Sequence, residues 1–142
     1  IIGDRQTGKT SVAVDAIVLD QSDFYVDNLD TGAIVRVHLN DDGTPGTPVV
    51  QAGVALSAPD GIRLLAHGKL VAAESSIDTL SEIDVDNDAG ARVILSNRLD
   101  RPSAVAIVDG DAWVTDGQVF RLFGLDNTAT HVPFLVERVA LE

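Results

Sequence analysis

Lys69-Leu70-Val71-Ala72-Ala73-Glu74 (KLVAAE) decides the fold, because the same kind of segment is met twice more. Asp23 to Asn28 reads DFYVDN and Ala112 to Gly117 reads AWVTDG. With Val26, Val71 and Val114 as markers, the intervals are 45 and 43 residues. A second marker agrees: Pro59-Asp60-Gly61-Ile62 and Pro102-Ser103-Ala104-Val105 lie 43 residues apart. Each segment is followed by a further strand-like run: Ile34 to Leu39 (IVRVHL), Thr79 to Val85 (TLSEIDV) and Val119 to Gly124 (VFRLFG). Turn-forming clusters punctuate the series at Asn40-Asp41-Asp42-Gly43, Asp86-Asn87-Asp88-Ala89-Gly90 and Asp109-Gly110-Asp111.

A period of ~40–45 residues with about four short strands per unit is the pattern of a β-propeller blade. A single blade buries its faces only against neighbours, so it does not stand alone. The predicted fold is therefore all-β, a partial β-propeller of about three blades over residues 19–142. A sandwich is the structural alternative, but it gives no reason for a repeated interval.

The chain has 142 residues, 45% hydrophobic and 23% charged, one domain's worth of soluble globular sequence. Aromatics make up 4%, so the core must rest on Val, Ile, Leu and Ala, with Trp113 read as core filler at the start of a strand. The net charge of −12 and pI near 4.3 argue against nucleic acid or an anionic membrane as partner. There is no cysteine, hence no disulfide or thiol chemistry. No run approaches the ~18 apolar residues of a membrane span, and no signal peptide is visible. The chain lacks Met and begins at Ile1, which predicts further residues upstream.

Ahead of the β-rich body stands a different kind of sequence. Gly3-Asp4-Arg5-Gln6-Thr7-Gly8-Lys9-Thr10 satisfies G-x-x-x-x-G-K-[ST] in full. Gly3 and Gly8 allow backbone angles that turn successive N–H groups toward phosphate oxygens. Lys9 would reach the β- and γ-phosphates and Thr10 would ligate Mg²⁺, with a helix from about Lys9 adding its positive end. Residues 1–18 are thus expected to form a P-loop and helix segment with Mg-ATP as its ligand. Yet no parallel strand–helix alternation follows to hold such a loop. Ala104 to Asp109 (AVAIVD) mimics a Walker B strand, but Gly110-Asp111 behind it makes a turn the stronger reading.

Two resemblances to known families lie on these residues. IIGDRQTGKTSVAVDAI, Ile1 to Ile17, resembles the P-loop of the ATP synthase F1 α subunit, in which this loop holds a nucleotide at a non-catalytic site. YVDNLDTGAIVRV, PDGIRLLAHGKLVAAE, LDRPSAVAIVDGDAWVTDGQVFRLFG and PFLVERVAL resemble, in that order, the C-terminal part of an SMP-30/gluconolactonase-like six-bladed propeller. That resemblance spans roughly residues 20–141 and implies a divalent cation, often Ca²⁺, at the channel mouth, where it assists lactone hydrolysis. The position matching one of the family's ligands is Asp60, and the other ligands fall in blades this chain does not contain. Such a junction suggests a chimera-like chain, recombined, engineered or concatenated.

Beside these, Asp60 between Pro59 and Gly61 reads as a turn residue or a metal-site remnant. Glu74, Asp116, Asp27 and Asn28 end their strands at similar places and read as solvated strand-end groups, with a channel-mouth lining as the alternative. His38, His67 and His131 have no partner at ligand spacing, and Arg98 and Arg101 read as surface residues. The expected function is a propeller-derived structural or assembly module related to metal-dependent lactone hydrolases, without efficient turnover of its own. The alternative is an ATP- or phosphate-binding protein using Gly3, Gly8, Lys9 and Thr10. An arc of about three blades leaves a sheet flank bare at each end, with Val71 and Ile107 as examples of the apolar side chains shown there. A homo-oligomer is therefore expected, two arcs closing a six-bladed ring, unless another chain supplies the missing blades.

Overall fold

The computed structural model describes residues 17–51, 53–86, 90–122, 124, 126–130 and 132–141. Over that range the chain is all-β. Eleven strands form three antiparallel sheets in sequence order. The first sheet contains β1 (Ile17–Asp20), β2 (Asp23–Asp27), β3 (Ile34–His38) and β4 (Val49–Val50), each bonded to the next. The second repeats that order with β5 (Pro59–Ala66), β6 (Lys69–Glu74), β7 (Thr79–Asp84) and β8 (Ala91–Ser96). The third contains β9 (Pro102–Val108), β10 (Asp111–Asp116) and β11 (Val136–Ala140), with β10 in the middle. The three sequence markers Val26, Val71 and Val114 fall on the second strand of each sheet, so one repeat interval is one sheet.

Local chemistry accounts for the hairpins. Asp109 and Gly110 both have positive φ, 53° and 81°, which two-residue connections need if the strands are to keep their right-handed twist. The Walker B-like run therefore ends in a hairpin, as the turn reading expects. Ile17 and Val18, which the P-loop reading assigns to a helix, pair as strand with Val26 and Tyr25.

Several expectations about single segments are corrected. Val119 to Gly124 is not a strand: Val119–Leu122 forms a helical turn, α1. Gln118 lies at φ 49° with its side chain wholly buried, and its carbonyl accepts bonds from Arg121 N and Leu122 N at 3.0 Å each. That reversal takes the segment off the sheet, and β11 fills the place beside β10. Pro59-Asp60-Gly61 is not a turn either. It opens β5, with an irregularity in register between Pro59 and Gly61. Trp113 is not core filler: it is 41% exposed on the outward face of β10, because Ala112 and Val114 take the inward positions.

Two apolar clusters glue the layers together. Val18, Tyr25 and Ile34 of the first sheet meet Ile62, Leu70, Ala72 and Ile83 of the second. Val71 and Leu80 of the second sheet meet Val105, Ala112 and Val114 of the third. β6 thus sends Leu70 and Ala72 to one side and Val71 to the other. Val71 is fully buried, so it marks no bare flank, and Ile107 packs against the second cluster. β5 lies against β1, β2 and β9, so the first strands of the three sheets gather together. At Gly61 the approach is backbone to backbone: a Cβ there would stand 3.1 Å from Ser103 O and Ala104 Cα.

Candidate functional site

The second strand of every sheet ends on a carboxylate: Asp27 on β2, Glu74 on β6 and Asp116 on β10. All three are buried, not solvated as their strand-end positions suggest. They also share one end of the stack. Asp27, at the end of β2, feels the charge of Asp60 at the start of β5, and the start of β5 touches the start of β9 through Gly61. Glu74 pairs with Pro59, and Asp116 with Pro102. A buried carboxylate is costly unless paired or neutralised, and the three positions meet that demand in three ways.

Glu74 is paired. Its Oε1 takes Arg92 Nη2 at 2.6 Å, Arg92 Nε at 2.9 Å and Ser81 Oγ at 2.5 Å, while Oε2 accepts Ser57 N at 2.7 Å. Every oxygen is satisfied, which makes this position structural.

Asp116 leans on a second acid. Its Oδ1 accepts Asp100 N at 3.1 Å, and Glu137 faces it from β11. Burial pushes the Glu137 carboxyl up, and the adjoining Asp116 pushes it further in the same direction. Asp100 is held by Arg121 Nη1 at 2.7 Å. Arg101 is no surface residue: it donates to Ser76 O at 2.8 Å and clasps Asp126 Oδ2 at 2.6 Å, tying the second sheet's end loop to the segment after α1. Arg98 is exposed, as expected.

Asp116 Oδ2 is buried with no hydrogen-bond partner, and the same is true of Asp27 Oδ2. Burial, and then the neighbouring charge of Asp60, push the Asp27 carboxyl up to about 7. Asp27 and Asp60 are thus brought together where the first two sheets meet. Of the histidines, His67 caps the β5–β6 turn with Nδ1 2.9 Å from Asp20 Oδ2, and His38 meets Asp23 at 2.9 Å. His131 lies outside the described residues, as do Gly3, Gly8, Lys9 and Thr10.

Sequence reasoning missed Arg92, Arg121 and Glu137. Glu74 and Arg92 stand 18 residues apart on strands separated by β7, and nothing in the spacing announces that pairing. Among the described residues no three His, Cys, Asp or Glu side chains converge to hold a metal. None of their helices is long and apolar enough to cross a membrane. No protein-family description matches the chain, and no curated protein matches it at a significant level.

Proposed function

We propose that the chain is a propeller-derived module of the SMP-30/gluconolactonase-like kind whose acidic end binds a divalent cation weakly through Asp27 and Asp60. The observation that carries this reading is the partnerless, buried Oδ2 of Asp27 beside a second carboxylate. A cation there would satisfy that oxygen and cancel the repulsion raising its proton affinity. Support also comes from three antiparallel sheets at a repeated interval with their first strands gathered together.

Two carboxylates supply at most four oxygens, whereas Ca²⁺ takes about six to eight. The remaining ligands must be water or come from another sheet, so affinity is expected at ~10⁻⁴–10⁻³ M. A cation held at this position by Asp27 and Asp60 would supply Lewis-acid polarisation of an ester carbonyl. This chain's own part is to hold it by Asp60 on a strand whose start is fixed against β9. Lactone hydrolysis is accordingly expected to be absent or very slow.

Calorimetric titration with Ca²⁺, Mn²⁺ and Zn²⁺ tests the reading. Binding should be lost in Asp60→Asn and in Asp27→Asn, and retained in Asp23→Asn. Equal binding by all three variants would refute it. The nucleotide alternative, through Gly3, Gly8, Lys9 and Thr10, stands on sequence alone.

A further inference from the structure

Among the described residues, each of the two outermost sheets has a face that no other sheet covers. On the first sheet, cross-strand pairing aligns Ile17, Val26, Val35 and Val50 in one row. Leu19, Phe24 and Val37 form the next row on the same face. None is charged, and Leu19 and Val50 are 50% and 58% exposed. This is the side opposite Val18 and Tyr25, which bury against the second sheet. On the third sheet the outward face is mixed: Trp113, Ala106 and Val108 share it with the ion pair of Arg138 and Asp111, 2.6 Å apart.

Trp113 occupies a telling position. Val71 precedes the buried Glu74 by three residues, and Trp113 precedes the buried Asp116 by three. Val71 at that position is fully covered by the next sheet, whereas no sheet among the described residues lies over Trp113. Both internal interfaces join the forward face of one sheet to the backward face of the next. The third sheet's bare face is of the forward kind and the first sheet's is of the backward kind. They are therefore the two free ends of a stack whose internal contacts each join a forward face to a backward one.

We propose that these faces dock on one another between two copies of this chain, the first sheet of each copy covering Trp113 of the other. Two such contacts related by a twofold axis close the pair and leave neither face in water. The net charge of −12 per chain opposes association over distance, while the first sheet's rows carry none of it, so pairing strengthens with added salt. The inference shares the repeat architecture with the cation reading but does not depend on cation binding.

Sedimentation of the full chain at several concentrations and salt levels tests it, together with emission from Trp113, the only tryptophan. Wild type should sediment as a dimer at high micromolar concentration, and dilution should red-shift Trp113 as the pair parts. Trp113→Glu and Leu19→Glu should each weaken association at least about tenfold with circular dichroism unchanged. A monomer at high micromolar concentration, or emission from Trp113 that ignores dilution, overturns the proposal without using any variant. So does undiminished pairing of Trp113→Glu or of Leu19→Glu.

Discussion

Arg92 reaches from β8 across β7 to place its guanidinium 2.6 Å from Glu74 Oε1 at the end of β6, where no solvent touches the carboxylate. One ion pair thus clamps three of the four strands of the middle sheet. Removing either partner leaves the other uncompensated, with Glu74 the worse case because it is the more deeply buried.

Arg92→Ala is therefore expected to cost about 3–5 kcal/mol, the range for breaking a buried pair. Glu74→Gln keeps the shape and an acceptor for Ser57 N, so it should cost less than Arg92→Ala. Urea unfolding of both variants gives the comparison. Equal and small losses would show that the clamp contributes little.

Asp27 makes stability depend on pH. Its carboxyl is raised from 3.8 to about 7 on folding, so between those values the native state binds more protons than the unfolded chain. Stability from this group is full below the unfolded value, falls as pH rises toward 7, and is flat above. Asp27→Asn should remove that slope and stabilise the protein at pH 8 by about 1–3 kcal/mol, short of the ~4 kcal/mol ceiling set by the shift. Chemical unfolding from pH 4 to 8 in the presence of a chelator is the measurement. A variant with the same slope as wild type would assign the dependence to another group.

Asp20 joins the first sheet to the second. Its Oδ2 accepts Gly68 N at 2.7 Å as well as His67 Nδ1, and it is itself buried. Asp20→Ala strands the Gly68 N–H and should cost about 1–3 kcal/mol. His67→Ala removes an exposed partner and should cost well under 1 kcal/mol. Thermal melts of the two variants separate these cases.

The Gly3–Thr10 loop yields a contrasting expectation. Among the described residues no parallel βα core follows that sequence, and the AVAIVD run that could pass for a Walker B strand ends in the Asp109–Gly110 hairpin. Mg-ATP should bind no better than high micromolar and should not be hydrolysed, and Lys9→Ala should melt like wild type. Calorimetry that finds micromolar affinity lost in Lys9→Ala would put the nucleotide reading first.

How far the sequence could be read follows from where the physics is local. β6 is the segment Lys69–Glu74 that opens the sequence reading, because a β-branched and apolar run between turn clusters needs no distant partner to be recognised. Val49–Val50 and Ala91–Ser96, edge strands of their sheets, went unmarked, since their pairing is imposed by neighbours rather than by their own pattern. Trp113 shows a second limit. Both faces of β10 carry apolar residues, so alternation alone does not say which parity faces inward. At the candidate site, Asp60 was visible as a carboxylate but not as the neighbour of Asp27, because that proximity depends on how two sheets meet. Val119 to Leu122 alternates well enough for a strand, and only the buried Gln118 behind it turns the chain into a helix.

The covering of β6 on both sides also sets the order in which the protein comes apart. Amides on β6 are shielded by Leu70 and Ala72 on one face and Val71 on the other, and they bond to β5 and β7 along both edges. The first and third sheets have such cover on one side each. In native-state hydrogen exchange β1, β4 and β11 should trade their protons through partial openings, while β6 should wait for the whole molecule to unfold. The middle sheet is then the last element standing, and its exchange rate is the clock for the entire fold.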